Sequence, residues 1–397
     1  MSKRRRSNLK RIRTLIFICF ISAVVFSVST YAWFVGMQRV GVTSFDIGIA
    51  TTESLELSLD GSVWSDNVSI SENEIDTYTN HTNRWSELKP ISTVGEMDKN
   101  SSRMIIFEKS SMTTTPGGYR LLASRIDNYT ETEAEGYVVF DLFIKNITGD
   151  EYYPNLDIRN EEAIYLTTDS KVEVNDTKGV PDTGIENSVR VAFAQIGRAK
   201  IGTSTATITG ITCISDNDIT GICSEERGAI IWEPNDKGHN QNAINWYDVS
   251  CKKRTAKPLV EASYGEKKSC EIVEEGKYSK TYAIKKEIEP DDEVDVYDGE
   301  DYNTFVHDWE EGEELLYPYP YFTDTMKELS GTKRPTFMTL APNSVTKVRI
   351  YIYLEGQDVD NYDLASIGKM ITVNFGFTKQ RYEKEDIDYE EPNIPGD

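Results

Sequence analysis

The chain has 397 residues, with 43 Lys and Arg against 66 Asp and Glu, a formal net charge of −23. Such an acidic surface repels nucleic acid and anionic membranes, so neither is expected as a partner of the folded part. The three histidines, His81, His239 and His307, form no H-E-x-x-H pattern, and no G-x-S-x-G, G-x-G-x-x-G or P-loop pattern is present. Motif-bearing enzyme classes are therefore set aside, and the expectation is a non-enzymatic protein.

Residues 1–13 form a basic cytoplasmic segment with seven Lys and Arg. Residues 14–37 form an apolar stretch, uncharged from Thr14 to Trp33. About 20 such residues in a helix rise ~30 Å, enough to cross a bilayer core. The flanking positive charge holds the N-terminus inside, and Tyr31 and Trp33 suit the far membrane interface. Two readings stay open. The stretch is an uncut single-pass anchor, with the C-terminus outside. Or it is a signal peptide cut by a signal peptidase after Ala32, between Thr30-Tyr31-Ala32 and Trp33. Both place the remainder outside the cytoplasmic membrane, as a membrane-held or a secreted, cell-surface protein. That remainder carries 36 basic against 66 acidic residues, a net −30.

From residue 38 the texture is that of an all-β chain. Val40, Val42, Phe45, Ile47 and Ile49 alternate, with a slip at Thr43-Ser44 that reads as a bulge. Leu55, Leu57 and Leu59 alternate before an Asp60-Gly61 turn, predicting a hairpin back through Val63-Trp64 or beyond. Residues 65–100 are polar and aperiodic and read as a long surface loop. Strands are expected at 103–108, 119–126, 136–147, 163–168 and 188–196. Helical turns are expected only at 323–329 and 363–369.

Residues 211–339 differ and read as an insertion. They hold Cys213, Cys223, Cys251 and Cys270, a basic cluster and an acidic block at 287–314. Three disulfide pairings are open, and the local pairs Cys213–Cys223 and Cys251–Cys270 are favoured because each closes a short loop. Asp216-Asn217-Asp218 starts like an EF-hand loop, but the twelfth position is Arg227 rather than Glu. That leaves Asp216 and Asp218 as an irregular Ca²⁺ site or a plain turn; no other cofactor is expected beyond the acidic block at 291–301. Trp232, with Trp246 and Tyr247, either packs on the core or lines a groove.

The alternation is cleanest at the end. Val348, Ile350, Ile352 and Leu354 face one way, while Arg349, Tyr351, Tyr353 and Glu355 face the other, as in a strand with one wet side. Ile371, Val373, Phe375 and Phe377 repeat the pattern. Residues 380–397 read as a disordered acidic tail. The expected fold is a jelly-roll-like β-sandwich of residues 38–210 plus 340–379.

The head, STYAWFVGMQRVGVTSFDIGIATTESLELSL, resembles the heads of TasA/camelysin-type surface and biofilm-matrix fibre proteins of Gram-positive bacteria. The shared features are Thr30, Ala32, Trp33 and Phe34, then Phe45-Asp46-Ile47-Gly48, then Leu55 and Leu57. FDLFIKNITGDEYYPNLDI and KMITVNFGFTKQ are similar to inner and closing strands of that family. This chain differs in its four-cysteine insertion and in lacking a Trp-Asn ending. The resemblance implies a jelly-roll surface or matrix protein that self-associates by strand donation, with Val40, Val42, Phe45, Ile47 and Ile49 as the donated strand. The alternatives are that this strand pairs within its own domain, and that the protein is a single-pass, membrane-anchored binding module. An extracellular hydrolase ranks last.

Overall fold

The structure is a computed structural model that describes residues 16–22, 24, 40–49, 54–71, 83, 87–109, 113–115, 118–120, 123–126, 132–149, 151–174, 182–223, 227–235, 238–245, 282–284, 316–318, 336–356, 358–361 and 369–380. In chain order the strands are β1 Val40–Ile49, β2 Leu55–Ser58, β3 Asn67–Ser71, β4 Pro90–Ser92, β5 Met97–Asp98, β6 Arg103–Met104 and β7 Phe107–Lys109. There follow β8 Thr113–Thr115, β9 Gly118–Arg120, β10 Ala123–Arg125, β11 Val138–Asn146, β12 Glu162–Leu166, β13 Lys171–Val174 and β14 Val189–Lys200. The last are β15 Thr220–Gly221, β16 Ile230–Trp232, β17 Tyr282–Ile284, β18 Leu316–Pro318, β19 Met338–Leu340, β20 Ser344–Glu355 and β21 Lys369–Thr378.

Two sheets carry the fold. Sheet I runs β19-β12-β21-β1-β3, with β13 also on β21. Sheet II runs β10-β7-β4-β20-β11-β2; β14 takes the opposite edge of β20, and β15 and β16 pair with β14. The alternating apolar residues of both sheets meet in one core. Phe45 of sheet I lies 5.4 Å from Phe140 of sheet II, and Phe193 of β14 packs edge-on to Phe375 at 5.1 Å. These side chains are at most 3% exposed. Each buried side chain of this size contributes about 1.5–3 kcal/mol, so the core dominates stability.

The bulge expected at Thr43-Ser44 is present: Val42 pairs with Ile371 and Ser44 with Thr372. The Asp60-Gly61 turn also forms. Asp60 accepts from the backbone N–H of Ser62 and Val63, and Gly61 takes a positive φ of 68°. Its return is shorter than expected, a single bridge between Leu57 and Ser65, while β2 pairs along its other edge with β11.

The stretch 65–100 is not one loop. It holds β3, β4 and β5. The Asn-Val-Ser-Ile-Ser sequence of β3 alternates polar and apolar over only five residues inside a polar stretch, and its Ile70 is fully buried beside β1. The described parts of residues 211–232 belong to sheet II or pack on it. β15 and β16 extend β14, and Ile211, Cys213, Ile219, Cys223, Ile231 and Trp232 are buried. The rest of the expected insertion, with Cys251, Cys270, Trp246 and Tyr247, lies outside the described residues, as do the helical turns at 323–329 and 363–368 and the tail beyond residue 380.

One face of β20 departs most from expectation. Arg349, Tyr351, Tyr353 and Glu355 are not wet but 0–3% exposed. Residues 91–106, 133–137, 211–223 and 229–231 fold over them and form a second buried layer around Met104, Tyr137, Val139 and Ile231. Sheet II is thus covered on both faces, and Arg349 and Tyr351 find partners beneath the cover.

At the chain's start, residues 16–22 are helical, with Ile16, Phe17 and Phe20 63–67% exposed. Among the described residues no helix is long and apolar enough to cross a membrane.

Candidate functional site

The expected donor strand, β1, is an inner strand of sheet I, between β21 and the edge strand β3. It pairs in parallel with β21 from Val40–Lys369 to Ile49–Phe377, and antiparallel with β3. In the structure it therefore completes its own chain's sheet. Val40, Val42, Phe45 and Ile47 are each 0% exposed. Ile49 is half-buried at the edge of the core. No short turn joins β1 to either partner: β2 of the other sheet intervenes before β3, and β21 lies more than 300 residues further along, the last strand among the described residues. Only ladder hydrogen bonds and core packing hold it in register.

On the outer side of this seam, Gly48 of β1 lies opposite Gly376 of β21. They floor a hollow of about 230 Å³ lined by Asp46, Asn67, Thr167, Asp169 and Asn374. A Cβ on Gly376 would strike Thr167 Oγ1 at 2.6 Å, whereas one on Gly48 would meet only Asn67 Oδ1 at 3.8 Å. Gly376 is thus required by packing, while Gly48 leaves open space. Asp46 and Gly48 belong to the Phe-Asp-x-Gly stretch of the head.

A second arrangement lies where β20 ends. Arg190, at the start of β14, is fully buried and forms ion pairs of 2.5 Å with both Glu233 and Asp358. Beside it, His239 Nδ1 is 2.6 Å from Asp360 Oδ2, and the backbone N–H of Asn240 donates to Asp360 Oδ1 at 3.0 Å. The backbone N–H of Asp360 donates to Asp358 Oδ1 at 2.7 Å. Gly184, at φ 78°, is needed here: a Cβ would lie 2.6 Å from Asn240 Cβ and 2.8 Å from Asp360 Oδ1. Burial pulls the His239 pKa down, but the bond to Asp360 and the Asp358 and Asp360 charges outweigh it, so the net shift is upward. Burial raises Asp360, with Asp358 adding to the effect and His239 opposing it. The pair therefore holds protons more tightly than free side chains do. No sequence pattern announced this cluster: His239 and Asp360 lie 121 residues apart and Arg190 and Asp358 168 apart, and the Asp358-x-Asp360 spacing was the only local sign.

A third arrangement lies on the covered face of sheet II. Arg349 donates to Asp141 from Nε at 2.8 Å and from Nη2 at 3.2 Å, and Lys347 Nζ is 3.1 Å from the same carboxylate. Tyr137 and Tyr351 donate to Glu133 at 2.8 and 3.1 Å.

The remaining expected sites fall as follows. Cys213 and Cys223 form a disulfide. Asp216 and Asp218 are exposed, and Asp216 Oδ1 accepts from the backbone N–H of Asp218 and Ile219, closing a turn. Both line a cleft of about 570 Å³ with Tyr152, Lys200, Ser204 and Thr220. Trp232 packs in the core rather than lining a groove. Thr30, Ala32 and Trp33 lie outside the described residues. No family model, curated protein or solved structure matches this chain.

Proposed function

We propose that this chain is an extracytoplasmic bacterial surface or matrix protein, non-enzymatic, built on a jelly-roll and assembling by exchange of β1 between copies. The observation that carries this reading is the position of β1. It is the first described strand, buried between the edge strand β3 and the central β21 and joined to neither neighbour by a short turn. A copy of β1 from another chain can make the same ladder bonds and fill the same core positions. Removing it without replacement uncovers four side chains worth about 6–12 kcal/mol by area, comparable to the net stability of a whole domain. An emptied groove therefore strongly favours being refilled.

Other features support the setting. The apolar side chains of Ile16, Phe17, Ile18, Phe20, Ile21 and Val24 are exposed, and the Cys213–Cys223 disulfide suits an oxidising compartment. His239 and Asp360, the pair with the look of a catalytic dyad, are 3% and 0% exposed, out of a substrate's reach. The membrane-anchored binding module is the second reading. The exposed apolar helix at 16–22 and the 570 Å³ cleft beside Tyr152 favour it.

The test uses two variants of residues 33–397, in a background with Cys251 and Cys270 replaced by Ser. One carries Ser44→Cys on β1 and the other Thr372→Cys on β21, neighbours in the ladder. Mixed and treated with a short bismaleimide, exchanging chains give a covalent heterodimer, and electron microscopy of the untagged protein shows fibres. If the crosslink forms only within a chain carrying both changes, and no fibres form across salt and acidity, strand exchange is wrong and the binding module takes its place.

A further inference from the structure

We infer that His239, Asp358 and Asp360 form a buried site for one divalent transition cation of the Zn²⁺ type. One ligand atom from each of the three lies within 4.8 Å of the others, and the residues are 3%, 8% and 0% exposed. Two separate segments deliver them: residues 238–240 bring His239, and the turn after β20 brings Asp358 and Asp360. The 3-10 turn Ile185–Ser188 and the start of β14, with Arg190, form a further wall.

Charge is the first argument. Four carboxylates, from Glu233, Glu355, Asp358 and Asp360, stand at 0–8% exposure beside two basic groups, Arg190 and His239. Even with His239 protonated, the buried sum is −2. Lys369, 3% exposed, and the half-buried Glu186 are opposite in charge and offset each other, and Asp182, on the surface, adds a further negative charge. Buried charge without compensation costs several kcal/mol per ion, so such a cluster draws in a cation. Coordination requires a neutral His239, so a divalent ion that displaces its proton brings the buried sum from −2 to −1.

Donor type is the second argument. An imidazole nitrogen with two carboxylates is a borderline ligand set that suits Zn²⁺, Mn²⁺ or Co²⁺; Ca²⁺ and Mg²⁺ take oxygen alone. The nearby groups then act as supports. Arg190 steadies Asp358 through Oδ2, and the backbone N–H groups of Asp360 and Asn240 hold one oxygen of each carboxylate. Such outer partners orient ligands in metal centres. Bonds of about 2 Å in tetrahedral array put ligand atoms roughly 3.3 Å apart, so the 2.6 Å His239–Asp360 contact has to open by about 0.7 Å as the ion enters. A bound ion would join the turn after β20 to the start of β14 and the 238–240 segment. The role is structural, a clamp on one end of sheet II.

The test begins with residues 33–397, stripped with EDTA and dialysed. Zn²⁺ is titrated calorimetrically, with Ca²⁺ and Mg²⁺ in parallel, and Co²⁺ is followed by its visible absorption. The expected result is one Zn²⁺ per chain, a melting temperature that rises by several degrees at 100-fold excess over Kd, and at least 100-fold weaker binding of Ca²⁺. His239→Gln and Asp360→Asn each lower Zn²⁺ affinity at least 100-fold while circular dichroism stays that of a folded β protein. His81→Gln and His307→Gln leave it unchanged. The Co²⁺ spectrum of the unmutated chain reports nitrogen and oxygen ligation without relying on any variant folding. Absence of stoichiometric Zn²⁺ binding by the unmutated chain overturns the inference. So does Zn²⁺ binding that survives both substitutions, or a Co²⁺ spectrum with thiolate charge-transfer bands.

Discussion

The two faces of β20 are equally buried and chemically opposite. Val348, Ile350, Ile352 and Leu354 point into the core between the sheets. Lys347, Arg349, Tyr351, Tyr353 and Glu355 point into the layer beneath the covering segments. The difference teaches what each kind of burial demands. The inner face needs only volume and apolarity, so neighbours can adjust to a lost methyl group. The outer face needs matched partners, because each buried charge depends on a specific opposite group. The inner face supplies most of the stability, and the outer face selects which segments can lie over it.

Four experiments break or sharpen that contrast. The largest effect is expected at Asp141, the carboxylate shared by Arg349 and Lys347. Asp141→Ala leaves two buried cations facing each other and should cost about 3–5 kcal/mol in urea unfolding. Burial already holds the Lys347 ammonium below its usual pKa despite Asp141. A loss under 1 kcal/mol would mean that water reaches this face and that the cover is loose.

The cover itself is the second target. Cys213 and Cys223 close a loop with a separation of 10 residues, and replacing both with Ser should cost about 2–3 kcal/mol. Cleavage by an added protease should then appear within 214–222 before global unfolding. Cleavage that waits for global unfolding would show that packing of Ile211 and Ile219 alone secures the cover.

Third is the inner face. Ile350→Val, at 0% exposure between the sheets, should cost only about 0.5–1.5 kcal/mol. If it matched Asp141→Ala, the claimed difference between the faces would fail.

The smallest effect concerns pH. Both His239 and Asp360 have raised pKa values in the folded, metal-free chain. A raised group's stabilisation is fully present below its unfolded pKa and is lost as pH rises through the folded one. In EDTA, the melting temperature of the parent chain minus that of a His239→Gln/Asp360→Asn double variant should therefore fall between pH 5 and pH 8, by a few degrees. A difference that grows over that range would reverse the sign assigned to this pair.

Much of the inner architecture was legible beforehand. The period-2 runs in β1, β11, β20 and β21 identified both the strands and their core faces, because alternation is written locally into each segment. The slip at Thr43-Ser44 marked a true bulge for the same reason: the extra residue shifts the phase of the pattern where it stands. β3 escaped because its alternation spans only five residues, with Val68 and Ile70 as its two apolar positions, and its burial comes from pairing with β1. The His239–Asp358–Asp360 cluster escaped because its parts come together only when the chain folds.

By itself, then, the sequence determined the long strands β1, β11, β20 and β21 and which side of each faces the common core, and it favoured Cys223 as the partner of Cys213. It also set the acidic balance and the basic and apolar start. Tertiary structure alone decided that β1 lies parallel to β21, that β15 and β16 extend sheet II, and that the polar face of β20 is dry. The physical reason is the range of the forces. A side chain's polarity and period are local properties. Whether that side chain is covered depends on segments up to hundreds of residues away, and Arg349 reads as a surface residue until Ser102 and Asp141 arrive to enclose it.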